Sequence, residues 1–520
     1  MSYSSSACFM VAWLAIAPIA AAQDRSGQPP RRPAEQTSER AAAASERLPA
    51  DSITHHELKL PGRTLRYTAT AGSLPLVDPK GKLLAEIAYV AYVLDGEPGE
   101  RRPITFALNG GPGASSAYLH LGSLGPRRLP FGSQGDTPSD TPALVDNADT
   151  WLDFTDLVFI DPVGTGFSRF AEPSEDLRKQ FWSVDGDARA LSRTIAKYLA
   201  RSGRLTSPKY LVGESYGGFR LPKIASLLQT SEGVGVSGLV MLSPVLDFSL
   251  LTDGPTKLLT TAALLPSMAA AKLEREGKLS ADAMAAVERY ASGDYLTDLV
   301  RGPRDKEAVA RIVDRVSELT GLDRSLVERL GGRIDARTFA REFYRGSGRV
   351  GSSYDVLVSS PDPYPNDART RYEDPILEAA TAPLTSAAVD YLSRTLNWAP
   401  DARYNLLSEE VNRGWNWGGG LSPPEVLSDL RSALALDEKL KVLTVHGFTD
   451  LVTPYFESKL ALAQLPQIGA TDRVRFEVFP GGHMFYSRDG SRSRFREAVR
   501  RLYQPSTGEG GQRPNGTLRD

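Results

Sequence analysis

Cysteine, net charge and long apolar runs are all scarce in this 520-residue chain, and each shortage closes off a class of protein. There is one cysteine, Cys8, so no intrachain disulfide can staple the fold. Lys and Arg number 61 against 63 Asp and Glu, a formal net charge of −2, which offers no basic field to gather phosphates and excludes nucleic acid as a partner. The Arg-rich patch RSRFRE, 492–497, reads as one solvated helix face. Only one long apolar run exists, at the N-terminus, and it is too short to span a bilayer. Histidine is sparse too, with five in all, which narrows any search for a catalytic base.

What is present is a globular composition, 41% hydrophobic and 24% charged, enough for a sizeable core. The N-terminal run, ACFMVAWLAIAPIAAA, ends in Ala20-Ala21-Ala22 and has the apolar region and small-residue cleavage site of a secretory signal. Residues 1–22 are therefore expected to be removed on export to the periplasm or the medium, with no stable membrane insertion afterwards. Cys8 would leave with them. Residues 23–51 and 504–520 are rich in Pro, Ser, Gly and charge and are expected as a disordered linker and tail.

Between them, apolar runs of four to six residues each end in Gly, Pro, Asp or Ser. They are ITFALNGGPGASS, LVFIDPVGTGFS, YLVGESYGG, LVMLSPVLD, KVLTVHGFTD and VRFEVFPGGH. Such runs suit strands buried on both faces, and helical stretches such as DARALSRTIAKYLARSG separate several of them. The pattern predicts an α/β protein with a mostly parallel central sheet, whose ligands sit at the C-terminal strand ends. Residues 55–95 predict antiparallel strands leading into it. Helical periodicity over 249–438 interrupts the strand series, so the sheet is expected in two parts, 52–248 and 439–503, with a helical cap inserted between them.

Gly213-Glu214-Ser215-Tyr216-Gly217 fits G-x-S-x-G, a turn between strand and helix that presents a serine hydroxyl. Serine is a poor nucleophile without a neighbouring base, usually a histidine oriented by a carboxylate. His55 and His56 lie in the early strands, and His120 sits in an apolar run. His483 follows a strand and two glycines near the end of the chain, and Asp450 follows the preceding strand, which gives the order Ser…Asp…His. His446 precedes Asp450 and breaks that order. The glycine loop Asn109-Gly110-Gly111-Pro112-Gly113 lets main chain approach a substrate, so the N–H groups of Gly111 and Tyr216 are the expected oxyanion donors.

Taken in order, NGGPGASS, DPVGTGFS, GESYGG, HGFTDLVTP and GGHM resemble the successive signatures of the serine carboxypeptidases over residues 85–500. The resemblance implies an α/β-hydrolase fold, a Ser-Asp-His triad with no metal or cofactor, and peptide substrates with a free C-terminus. It further implies that Asn109 and Glu214, with Gly110 beside them, bind the substrate's terminal carboxylate. Relatives place a second glutamate where this chain has Ser123. With one fewer like charge beside Glu214, carboxylate affinity is expected to fall away at lower pH, unless burial of Glu214 compensates.

The leading expectation is thus a serine carboxypeptidase. An esterase or acyltransferase would use the same acyl-enzyme, and a non-catalytic binding protein on this fold would not need the complete triad. Tyr354, Trp398, Trp415 and Trp417 fall in the cap and its loops without indicating a residue preference, and no oligomeric state is legible.

Overall fold

A computed structural model describes residues 47–96, 102–131, 143–251, 254, 256–367, 374–420, 422–470 and 472–504. The expected signal segment and almost all of both expected disordered segments lie outside these ranges. At the near end of the first, the structure corrects the expectation of a linker up to residue 51. Leu48 is buried in the core, its N–H donates to Glu86, and Arg47 pairs with the same carboxylate. Asp51 accepts hydrogen bonds from the Tyr89 hydroxyl and from Arg201. These polar residues are held by ion pairs made far along the chain.

Among the described residues the centre is a ten-stranded sheet. It begins with three antiparallel strands, β1 (Ser52–Leu60), β2 (Arg63–Val77) and β3 (Leu83–Leu94). There follow β4 (Ile104–Leu108), β5 (Asp156–Ile160), β6 (Lys209–Glu214), β7 (Gly238–Leu242), β8 (Lys441–Gly447) and β9 (Val474–Phe479). The spatial order is β1-β2-β3-β5-β4-β6-β7-β8-β9, and from β5 onward every neighbouring pair is parallel. Residues 169–170 add a short strand on β3.

The apolar runs fill both faces because strand side chains alternate. In β4, Phe106 enters one buried cluster and Ala107 the other, and in β6 Leu211 and Val212 divide the same way. Helix α1 (Val184–Arg201) starts at Ser183, whose hydroxyl caps the N–H of Gly186. It packs with α2 (Tyr216–Thr230) on one face, and α3 (Asp489–Tyr503) covers the other.

The stretch expected as one insertion, 249–438, packs as two parts. Helices between Leu258 and Glu342 gather around Leu265, Met268, Ile312 and Phe339, in clusters that reach the later chain at Leu451, Tyr455 and Phe456 beside the outer strand β9. From Ile376 to Leu434 the chain returns to the sheet, placing Leu384, Tyr391 and Trp398 in one of its clusters and Val411, Trp415 and Leu430 in the other. The physical difference is which apolar face each part covers. No helix among the described residues is long and apolar enough to cross a membrane.

Candidate active site

β6 ends at Glu214 and α2 begins at Tyr216, so the turn between them has one residue, Ser215, with φ 59° and ψ −125°. A non-glycine residue in that region is strained and persists only where its surroundings over-determine it. Here glycine neighbours do so. A Cβ on Gly213 would stand 2.3 Å from the Gly217 carbonyl oxygen, and one on Gly110 would stand 2.6 Å from the Tyr216 nitrogen. Strand, helix start and glycine loop therefore touch backbone to backbone. Between Lys209 and Pro222, Ser215 is the one residue that is not buried.

Asp450 follows β8 and His483 follows β9, at the same end of the parallel strands. His483 Nδ1 lies 2.9 Å from Asp450 Oδ2, with the two side chains 3% and 0% exposed. The other carboxylate oxygen, Oδ1, accepts the N–H groups of Val452 at 2.8 Å and Thr453 at 2.9 Å. Burial alone would lower the pKa of His483. The Asp450 charge and hydrogen bond outweigh it, and the net direction is upward.

The other histidines are placed elsewhere. His446 is fully buried against Phe476, and burial pushes its pKa down to about 3. His120 stacks on Phe159 and hydrogen-bonds the Tyr92 hydroxyl at 2.6 Å. His55 and His56 stand on β1.

The glycine loop follows β4. Gly111 has φ 100°, and the loop is supported by residues 406–412: Ser408 N–H donates to Gly113 O at 2.8 Å, and Asn412 Nδ2 to Pro112 O at 3.2 Å. Asn109 is fixed from three sides. Its Oδ1 accepts Leu119 N–H at 2.9 Å, its carbonyl accepts from Arg220 at 2.7 Å, and its Nδ2 donates to Glu214 Oε2.

Glu214 is 3% exposed. Burial pushes its carboxyl up to about 7, against the pull of His483 and of hydrogen bonds from Tyr486 and Asn109, and with a smaller push from Asp450. Burial is the largest of these influences, and position 123 holds a serine rather than a second glutamate. Ser123, at that position, is itself buried, and its hydroxyl makes no hydrogen bond among the described residues.

Three contributors escape sequence reasoning. Thr453 Oγ1 lies 2.8 Å from Asp450 Oδ2 and 3.0 Å from His483 Nδ1, and its place three residues after an aspartate was the one available signal. Tyr354, from the inserted region, accepts the His483 N–H on its carbonyl and sets its ring edge-on to the imidazole at 5.2 Å. Tyr486 donates to Glu214, and nothing in its spacing announces this. Among the described residues no three His, Cys, Asp or Glu side chains gather closely enough to hold a metal ion.

Comparison with known proteins agrees with this architecture. The pheromone-processing carboxypeptidase kex1 of Schizosaccharomyces japonicus is 29% identical over 189 residues, covering 36% of this chain and 33% of that one. Serine carboxypeptidase-like 36 of Arabidopsis thaliana is 25% identical over 201 residues, 38% of this chain and 39% of its own. The matched stretch thus spans little more than a third of these relatives. Among solved structures, the Saccharomyces cerevisiae prohormone-processing carboxypeptidase Kex1 superposes with a TM-score of 0.53 at 16% identity, covering 84% of this chain and 91% of that one, and shares its α/β-hydrolase fold. A sequence model described as serine carboxypeptidase matches residues 89–478, from within β3 to within β9, and by that match the chain belongs to the serine carboxypeptidase family.

Proposed function

We propose that the protein is a serine carboxypeptidase that releases C-terminal residues from peptides. Ser215 attacks the last peptide carbonyl, His483 takes its proton and returns it to the leaving amine, and Asp450 holds the imidazole in the tautomer that can do so. The N–H groups of Gly111 and Tyr216 receive the oxyanion, the second being a helix-start donor without an intrahelical acceptor. Asn109, Gly110 and Glu214 form the seat of the substrate's terminal carboxylate.

The observation that carries this reading is Glu214: a buried carboxyl, adjoining the candidate nucleophile in sequence, with donors on both oxygens. An esterase has no need of a titrating acid there. A peptide carboxylate does, since two carboxyl groups in contact must share a proton. Blocked dipeptides offered as the free acid, the C-terminal amide and the ester discriminate between the readings. The free acid is expected to be the best peptide substrate below pH 7, whereas equal turnover of acid and amide at every pH, with a faster ester, would make the protein an esterase.

Export accompanies this reading, on the strength of the apolar segment ending at Ala22. N-terminal sequencing of protein recovered from the periplasm or medium should begin at or near Gln23, and an intact Met1 on cytoplasmic protein would remove the claim.

A further inference from the structure

The Tyr486 hydroxyl oxygen lies 2.9 Å from Glu214 Oε1 and 2.9 Å from Glu214 Oε2. One phenol proton cannot be given fully to two acceptors, so this symmetric placement suits a partner that serves either protonation state. Towards a carboxylate, Tyr486 donates. Towards a carboxylic acid it donates to the carbonyl oxygen and accepts from the hydroxyl, because a phenol is both donor and acceptor. Asn109 Nδ2 also donates to Oε2, which makes Oε2 the carbonyl oxygen of the acid form and leaves the proton on Oε1. When a substrate carboxylate binds, that proton turns from Tyr486 to it, while Tyr486 keeps donating to Oε2.

The ring is held in place. Tyr486 is 0% exposed, its Cε2 would stand 3.1 Å from a Cβ at Gly122, and its carbonyl accepts from Arg492. It lies three residues beyond His483, so the candidate base and the partner of Glu214 share one short segment. The titratable groups that act on Glu214 from its surroundings are His483, Asp450, Tyr486, Tyr118 and Tyr354. Of these, Tyr486 is the one with a hydrogen bond to the carboxyl.

We propose that Tyr486 is a positioning residue for terminal-carboxylate recognition, holding Glu214 in one orientation in both protonation states and thereby setting the pH above which a free C-terminus is refused. The proposal rests on Glu214 being the carboxylate reader. Donation to the charged form favours it, so Tyr486 pulls the Glu214 pKa down from where burial alone would put it.

The test measures kcat/KM from pH 5 to 9 for a blocked dipeptide and its C-terminal amide. Their ratio cancels the His483 limb, which both substrates share, and isolates the reader. In the parent the ratio falls as pH rises through the Glu214 pKa. Tyr486→Phe should move this fall upward by about one pH unit and raise KM for the acid several-fold at low pH, with the amide nearly unchanged. A purely structural role would lower both substrates together and leave the fall where it was. Site-specific 3-fluorotyrosine at 486, a more acidic donor of the same shape, should move the fall downward, and it answers the question even if the phenylalanine variant folds poorly. Glu214→Gln should flatten the ratio, and adding Tyr486→Phe to it should change nothing further. An unshifted fall in both Tyr486 variants, with a flat ratio in Glu214→Gln, overturns the role of Tyr486 alone. A fall that survives Glu214→Gln overturns Glu214 as the reader.

Discussion

Ser215→Ala should lower kcat for peptide hydrolysis by about 10⁶-fold, and His483→Ala by about as much, because nucleophile and base act as one unit and either loss forfeits the acyl-enzyme. The two losses should not add: the double variant is expected to be no slower than either single one. KM should stay close to the parent value, since the proposed carboxylate seat at Asn109 and Glu214 is untouched. An active-site phosphonate should label Ser215 in the parent and nothing in Ser215→Ala. The strained turn makes the alanine variant a clean one, because its backbone is set by Gly213, Gly110 and the strand and helix on either side rather than by the hydroxyl. Labelling of another serine, or a His483→Ala enzyme with a tenth of the parent rate, would contradict the assignment.

Asp450→Asn should cost about 10⁴-fold in kcat. The local geometry says why. Oδ1 accepts two backbone N–H groups, from Val452 and Thr453, so an asparagine at 450 must put its carbonyl oxygen there. Its NH₂ then takes the place of Oδ2, facing His483 Nδ1, and two donors cannot face one another. The imidazole would respond by moving its proton to Nε2, where it can no longer accept from a serine. The fold should be undisturbed, so a parent-like melting temperature with a collapsed kcat is the expected pair of observations. A variant that keeps a tenth of the parent kcat would show that Asp450 does not select the tautomer.

The parts of the fold that are legible in the sequence are those fixed by burial on two sides. ITFAL, LVFI, YLV and LVML are apolar but for Thr105, whose buried hydroxyl is hydrogen-bonded to Thr155, because both sheet faces are covered, and the chemistry that follows each run marks the strand's C-terminal end. Ser215 was legible because a one-residue turn tolerates little besides glycine beside it. Chain order favoured His483 over His446, and the structure puts His446 inside the sheet against Phe476. What escaped depends on distant partners. Arg47 and Asp51 look like linker residues until Glu86, Tyr89 and Arg201 are set beside them. Leu384 and Leu430 have the helical pattern of an insertion and gave no sign that the surface they cover is the central sheet. The grip of Tyr354 on His483 uses a backbone carbonyl, which any residue type could supply.

That grip belongs to a larger hold. Ser353 O accepts the N–H of Leu451, Asp355 accepts from Thr449 Oγ1 and from Arg488, and Arg488 reaches on to Glu274 in helix Leu258–Arg275. A Cβ on Gly482 would stand 1.8 Å from the Tyr354 carbonyl oxygen, so the loop before His483 is moulded to the inserted segment. Insertions over a hydrolase sheet are usually thought of as interchangeable roofs, free to vary while the chemistry beneath stays constant. Here the roof carries part of the floor. Exchanging this region for that of a relative would also re-aim the imidazole, so a change made in the insertion is felt at the candidate base.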